Sequence, residues 1–110
     1  MPRIVRGGLI QAKLNEPAGS SPAKIKAAMT EKHVAMIAEA AGKGAQVICM
    51  QELFYGPYFC QVQDPQYYSY TELIPDGPTT KRMQDLAKQT GMVLVVPMYE
   101  EDSQASGIYY

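Results

Sequence analysis

VICMQELFYGPYFCQVQDP, residues 47–65, joins a strand pattern to an abrupt change in polarity. Residues 47–50 are apolar, Gln51 and Glu52 follow directly, and aromatic residues and a Gly-Pro pair come next. A short apolar run without polar alternation is typical of a strand that is buried on both faces. Reacting groups of α/β sheets gather at the carboxyl ends of such strands, where Glu52 lies. We therefore expect Glu52 to be partly buried and suited to general-base chemistry, with capping of the following turn or a contact with a lysine as the alternative.

The segments before residue 47 predict a strand and a long helix. Residues 4–12 form the first predicted strand, and the glycines at positions 7 and 8 favour a close backbone approach or a bulge. Ser21 followed by Pro22 is an N-cap signal, so a helix is expected from there to about residue 41, before glycines that end it. Apolar residues at helical spacing predict its buried stripe: Ile25, Met29, Met36, Ile37 and Ala40. His33 falls on the same stripe, where packing is the usual role and catalysis or metal binding the alternative.

The segments after residue 65 repeat this alternation. A short helix or turn is expected within residues 64–72, and a second main helix is expected to open at Asp76-Gly77-Pro78 and to end at Gly91. Residues 92–96 form a third predicted strand, and residues 107–110 resemble the start of a fourth. Alternating strands and helices are typical of an α/β domain with parallel βαβ units. Two helices can cover only one face of the sheet, so another layer must cover the second face.

Composition and charge point to a globular protein and exclude several kinds of partner. Apolar residues make up 46% and charged residues 19% of the 110 residues, a length that suffices for one modest domain. The formal net charge is −1 and basic residues never cluster beyond a pair, which excludes surfaces that bind nucleic acid or anionic membranes. Neither a membrane span nor a signal-peptide pattern is found, so a cytoplasmic location is expected. Cys49 and Cys60 are expected to be free thiols because their spacing fits no metal or disulfide motif.

Two longer stretches resemble a known family of enzymes. QVICMQELFYGPYFC, residues 46–60, and DGPTTKRMQDLAKQTGMVLVVPMYE, residues 76–100, resemble the N-terminal part of the nitrilase superfamily of carbon–nitrogen hydrolases. Within it the likeness is greatest to β-ureidopropionases and N-carbamoylputrescine amidases, and it extends from Ile4 to the last tyrosines. The resemblance implies a four-layer α-β-β-α sandwich, in which a second sheet covers the face that the helices leave open. It also implies that residues 1–110 are the N-terminal segment of a single, incomplete carbon–nitrogen hydrolase domain.

The resemblance also implies roles for particular residues. The family's glutamate acts as general base, its cysteine attacks the substrate's carbonyl carbon, and its lysine stabilises the tetrahedral intermediate. Glu52 matches the glutamate, whereas the lysine and the cysteine are expected beyond Tyr110. Tyr58 and Phe59 are candidate substrate-binding residues at the mouth of the pocket, with aromatic packing as the alternative. Glu100 has a family counterpart and is interpreted as structural, with a site role as the alternative.

Other lysines and cysteines of the chain do not replace the missing pair. Lys81 and Lys88 lie on a predicted helix among solvent-facing neighbours. Cys60 lies in a loop, and Cys49 precedes Glu52 by an odd separation, which on a regular strand directs the two side chains to opposite faces. The chain alone is therefore expected to lack hydrolytic activity, and its bare apolar face is expected to cause self-association.

The predicted function is hydrolysis of N-carbamoyl amines or amino acids, such as N-carbamoyl-β-alanine, through a cysteine-bound intermediate. Ammonia, carbon dioxide and the free amine are the products. No metal or organic cofactor is implied, and the expected partners are a small N-carbamoyl or amide substrate and further copies of the protein. Two alternatives stay open: another amidase or nitrilase of the superfamily, or a truncated, non-catalytic binding or assembly module.

Overall fold

Three parallel strands lie at the centre of the molecule, in a computed structural model that describes residues 2–110. In chain order the elements are β1 (Gly7–Leu9), α1 (Pro22–Gly42), β2 (Val47–Cys49), a 3₁₀ helix (Pro65–Tyr70), α2 (Pro78–Thr90) and β3 (Val93–Val95). The spatial order β1-β2-β3 equals the chain order, and α1 and α2 are the crossovers that parallel pairing requires. The predicted α/β class with a parallel sheet is confirmed.

Helix α1 begins and ends close to where its sequence predicts. The Ser21 hydroxyl accepts a hydrogen bond from the Lys24 N–H at 3.4 Å, as an N-cap should. Its fully buried side chains are Ile25, Met29, His33 and Ile37. Met36 and Ala40, which were also predicted for this stripe, are only half-buried. Directly after the helix, Gly44 takes a φ of 81°, which glycine adopts without steric cost.

Helix α2 agrees with its sequence signals in the same way. Gly77 is its N-cap, and at the other end Gly91 takes a φ of 69° while its N–H donates to the Ala87 carbonyl at 2.9 Å. The 3₁₀ helix confirms the short helix expected within residues 64–72, and the Asp64 carboxylate caps it by accepting from the Gln66 N–H at 2.9 Å. Neither helix among residues 2–110 has both the length and the apolar character that a membrane crossing needs.

The strand register divides the sheet into a covered face and a bare face. Gly8, Ile48 and Leu94 lie side by side in the middle row, and Ile48 is buried in the core beneath the helices. The rows on either side point the other way, and there Leu9 is 80% and Val93 64% exposed. The expected burial of strands two and three on both faces is therefore not met within residues 2–110, because α1 and α2 cover one face only.

The predicted fourth strand and the predicted strand lengths need correction, whereas the predicted close approach at the glycine pair is confirmed. Residues 107–110 do not join the sheet: Tyr110 exchanges backbone hydrogen bonds with Glu100 at 2.8 and 2.9 Å in an antiparallel turn. The chain folds back there because the Asp102 carboxylate caps the turn, and the N–H donors of that turn lower the pKa of Asp102. The three strands are also shorter than predicted. The close approach at the glycine pair is confirmed, since a Cβ on Gly8 would lie 3.0 Å from the Ile48 side chain.

Candidate active site

Glu52 lies in a tight turn directly beyond the carboxyl end of the central strand β2. The next residue, Leu53, has a φ of 52°, a left-handed conformation that is rare for leucine and costs free energy. Phe54 and Tyr55 follow and are completely buried, so their packing in the core holds the turn in place. The backbone that carries Glu52 is therefore held between the sheet on one side and two buried aromatic rings on the other.

The Glu52 side chain borders a small cavity of about 150 Å³. The cavity is lined by apolar side chains from the segment after β1 and from α1, together with the turn itself and Tyr58. The carboxylate is exposed, and no hydrogen bond or salt bridge within residues 2–110 involves it. The expected partial burial is thus wrong for the described residues, because none of their elements covers the Glu52 side chain. A carboxylate without an internal partner is free to accept a proton or a hydrogen bond from a bound molecule.

Tyr58, one of the two candidate substrate-binding residues, lines the same cavity as Glu52. The pKa of Tyr58 is raised, first by interaction with the neighbouring Cys60 side chain, and then because negative charge on Cys60 and Glu52 disfavours the phenolate. The hydroxyl therefore stays a neutral donor and acceptor beside the carboxylate. The structure thus brings Tyr58 and Glu52 to one place, with Cys60 next to them.

Phe59, the other candidate, has a different environment. Its ring stacks on Tyr67 with centroids 4.9 Å apart and lies against Tyr99 at 4.8 Å. It lines a separate cavity of about 510 Å³, whose walls include Cys60 and Asp64 but not Glu52. Contact with two other aromatic rings is the packing alternative given above.

Gln51, which the sequence did not single out for a site, fixes the backbone before Glu52 together with His33, for which a site role was only the alternative. The Gln51 amide accepts from the Ala12 N–H and donates to the Ala12 carbonyl, both at 3.3 Å, and so ties the segment after β1 to the segment after β2. Beneath it, the buried His33 ring meets the Gln51 oxygen at 3.0 Å. The packing role expected for His33 holds for its ring, which is edge-on to Phe54, but both ring nitrogens also have polar partners.

A buried ion pair stabilises the loops behind the candidate site. Glu72 pairs with Lys26 of α1 and also accepts from the Thr79 N–H at 2.7 Å and the Thr79 hydroxyl at 2.5 Å. Burial raises the pKa of Glu72, but the hydrogen bonds from Lys26 and Thr79 outweigh it and leave that pKa lowered. The Tyr55 hydroxyl donates to the Tyr70 carbonyl at 2.8 Å, and burial raises the pKa of Tyr55 to about 12. The turn after Glu52 is thereby linked to the same loops.

The remaining sequence candidates lie elsewhere. Lys81 and Lys88 are exposed on α2, and Lys81 pairs with Asp76 at 3.4 Å. Cys49 and Cys60 are free thiols, as predicted. Cys49 is half-buried on the bare face of the sheet, and β2 ends at this residue, so the strand alternation used to separate it from Glu52 does not extend that far. Glu100 is held by backbone pairing with Tyr110.

The described part of the chain holds no group of three or more His, Cys, Asp and Glu side chains arranged to bind a metal ion.

Comparison with known proteins places this geometry in context. The sequence profile described as "Carbon-nitrogen hydrolase" matches residues 10–110. A tomato (Solanum lycopersicum) N-carbamoylputrescine amidase is 46% identical over 63 residues, which are 57% of this chain and 21% of that protein. A beta-ureidopropionase of Arabidopsis thaliana is 32% identical over 101 residues, which are 92% of this chain and 24% of that protein.

A solved structure shows the same fold. The crystal structure of a carbon-nitrogen hydrolase from Helicobacter pylori G27 superposes with a TM-score of 0.75 at 22% identity. The match covers 96% of this chain and 32% of that one. The chain thus spans between a fifth and a quarter of the two curated relatives named above, and about a third of the solved structure.

Proposed function

The chain belongs to the carbon–nitrogen hydrolase family of the nitrilase superfamily, and from this premise we propose that it supplies the general base of an amidohydrolase. The observation that carries the proposal is the position of Glu52. Its carboxylate lies beyond the carboxyl end of the central strand, borders a cavity and has no partner within residues 2–110. A base must reach the proton that it abstracts, and an unpaired carboxylate on an anchored turn meets that requirement.

The proposed substrates are N-carbamoyl amines or amino acids, such as N-carbamoyl-β-alanine. Support comes from two relatives whose names state N-carbamoylputrescine amidase and beta-ureidopropionase. Hydrolysis of such a substrate consumes one water molecule and yields the free amine, ammonia and carbon dioxide. Tyr58 is proposed to contact the substrate, because it lines the same cavity as Glu52.

In the proposed mechanism Glu52 moves protons and does not bond to carbon. It takes the proton of a cysteine thiol as the sulfur attacks the carbonyl carbon, and then gives that proton to the departing nitrogen. In the second half it takes a proton from water as the water oxygen displaces the sulfur, and it returns that proton to the thiolate. The carbamic acid that is released breaks down to carbon dioxide and the remaining nitrogen product, the amine or ammonia. The cysteine and the lysine that stabilises the oxyanion are proposed to belong to the same domain outside residues 1–110. The four-layer sandwich, a cytoplasmic location and assembly into oligomers stay predictions.

The test compares two substitutions in the complete gene product. Glu52→Gln should keep the fold and lower turnover of N-carbamoyl-β-alanine or N-carbamoylputrescine on the order of 100-fold, because the amide cannot accept the proton. Glu101→Gln removes a carboxylate away from the cavity and should leave turnover unchanged. Ammonia release measures both. Equal rates for Glu52→Gln and the parent would remove Glu52 from the mechanism.

The same assay separates the two alternatives. Ammonia release from simple amides or nitriles, but not from N-carbamoyl compounds, would indicate another amidase or nitrilase. Absence of turnover on all three classes, with an intact fold, would indicate the non-catalytic module.

A further inference from the structure

His33 is a buried polar residue near the candidate site, and packing alone does not explain it. Its side chain is 0% exposed, and both ring nitrogens meet oxygen atoms. Nδ1 lies 2.8 Å from the Met29 carbonyl one helical turn earlier, and Nε2 lies 3.0 Å from Oε1 of Gln51. An apolar residue would fill the same space beside Phe54, but it could not make either contact.

The Gln51 amide is the link between His33 and the backbone. Its oxygen accepts from the Ala12 N–H and its nitrogen donates to the Ala12 carbonyl, both at 3.3 Å. Because Ala12 follows β1 and Gln51 follows β2, this clamp continues the pairing of the two strands beyond their last ladder bond, Ile10 N–H to Cys49 carbonyl at 2.8 Å. The residue after the clamp is Glu52.

Donor and acceptor counting shows why the orientation of Gln51 depends on His33. The Gln51 oxygen can only accept, so the ring must meet it with an N–H at Nε2. If the amide turned over, its nitrogen would face the Ala12 N–H and its oxygen the Ala12 carbonyl, and both clamp bonds would be lost. An N–H donor at position 33 therefore favours the amide orientation that closes the clamp.

We propose that His33 is a positioning residue for Glu52, which it holds in place through the Gln51–Ala12 clamp. The role of Glu52 itself rests on the function proposed above. A catalytic group that moves by about 1 Å can lose a factor of 10 to 100 in rate, so loss of the clamp should lower kcat more than it changes KM.

Two substitutions at position 33 and one at position 51 test this in the complete gene product. His33→Leu keeps much of the volume and removes the donor, His33→Gln retains an N–H donor, and Gln51→Leu removes the clamp directly. Hydrogen exchange at the Ala12 amide, followed by NMR with ¹⁵N-alanine labelling, reports the clamp without any need for activity. Ala45, whose N–H donates to the Ala40 carbonyl at 3.0 Å, is the control amide in the same spectrum.

We expect His33→Leu to speed exchange at Ala12 by about 10-fold, to leave Ala45 unchanged, and to lower kcat by about 10-fold with KM within a factor of about two. His33→Gln should keep both Ala12 exchange and kcat close to the values of the parent. Combining His33→Leu with Gln51→Leu should lower kcat no further than either change alone, because the two residues act through one link.

Three results would overturn the proposal: unchanged Ala12 exchange in His33→Leu, equal acceleration at Ala12 and Ala45, or faster Ala12 exchange with unchanged kcat. If His33→Leu does not fold, the other two variants still test the proposal. Gln51→Leu must open the clamp and speed Ala12 exchange, and His33→Gln must keep the clamp and leave Ala12 exchange close to that of the parent. Failure of the proposed function is seen separately, as full turnover in Glu52→Gln with the Ala12 result unaffected.

Discussion

Replacing Glu72 by glutamine should lower the free energy of unfolding by about 3 kcal/mol. The Glu72 side chain is 5% exposed and pairs with Lys26, and Thr79 donates its N–H and its hydroxyl to the same carboxylate. Glutamine keeps one oxygen for the Thr79 N–H but presents an NH₂ group to the Lys26 ammonium. Breaking a buried pair from one side costs about 3–5 kcal/mol, because a charge is left without its partner.

The surroundings of Lys26 place the estimate at the low end of that range. Its side chain is 20% exposed and can take up water. It also lies 3.4 Å from the Tyr70 carbonyl and 4.6 Å from the centre of the Tyr55 ring, two partners that glutamine at position 72 does not remove. Part of the lost attraction is therefore replaced.

The stability lost in Glu72→Gln should become smaller as the pH falls. The pKa of Glu72 in the folded protein is lowered from its ordinary value of 4.5. A group whose pKa is lowered on folding contributes stability that is present above its unfolded pKa and is lost as the pH falls through its folded pKa. The difference between the parent and Glu72→Gln should therefore be constant near neutral pH and shrink below pH 4.5.

Urea unfolding of the complete gene product at several pH values measures both the loss of unfolding free energy in Glu72→Gln and its dependence on pH. Glu39→Gln is the matched control, because Glu39 makes an exposed pair with Lys43 and should leave the unfolding midpoint unchanged. The double variant Lys26→Met, Glu72→Gln should be more stable than Glu72→Gln alone, since no unpaired charge remains. A Glu72→Gln midpoint equal to that of the control, or a difference that does not change in acid, would refute the reasoning.

Three further predictions concern single features. Phe59→Ala should lower the free energy of unfolding by about 2–3 kcal/mol with little change in KM. Tyr58→Phe should raise KM about fivefold and leave the urea midpoint unchanged. The reverse pattern in steady-state kinetics and urea unfolding would make Phe59 the substrate-binding residue and Tyr58 the packing residue. Gly77→Ala should destabilise by about 1–3 kcal/mol in thermal unfolding, because its Cβ would lie 2.6 Å from the Leu73 carbonyl oxygen; an unchanged midpoint would mean that the loop yields freely. The 110-residue chain alone should self-associate through its bare sheet face, and Leu9→Lys should reduce the mass seen by light scattering; a parent chain that stays monomeric would contradict this.

Local signals in the sequence were enough to predict the ends of both helices. Ser21 before Pro22 and glycine at position 91 act on neighbouring backbone groups, so they need no knowledge of the rest of the fold. The position of Glu52 beyond the central strand was also predictable, because it follows from the strand pattern alone. Its exposure was not, since burial at a sheet edge depends on whatever layer lies above that edge.

Pairs that are distant in sequence were missed for a physical reason. Glu72 and Lys26 meet only after the segment before α2 packs against α1, and no local pattern in either segment indicates the other residue. A partial signal did exist, since Lys26 has helical spacing to Met29 and His33 on the buried stripe of α1. A lysine on such a stripe requires a partner, but the sequence does not say which acidic residue provides it.

During synthesis each new strand can add to the edge of the strands that are already paired. Because the spatial order β1-β2-β3 is the order of synthesis, no strand has to insert between two that are already paired. Each crossover joins strands that become direct neighbours, so every strand can pair as soon as the helix before it has formed. We expect β1, α1 and β2 to fold as a unit while α2 is still inside the ribosome. Leu9 then faces solvent from that moment on, which makes the emerging polypeptide a client for chaperones that bind exposed apolar segments.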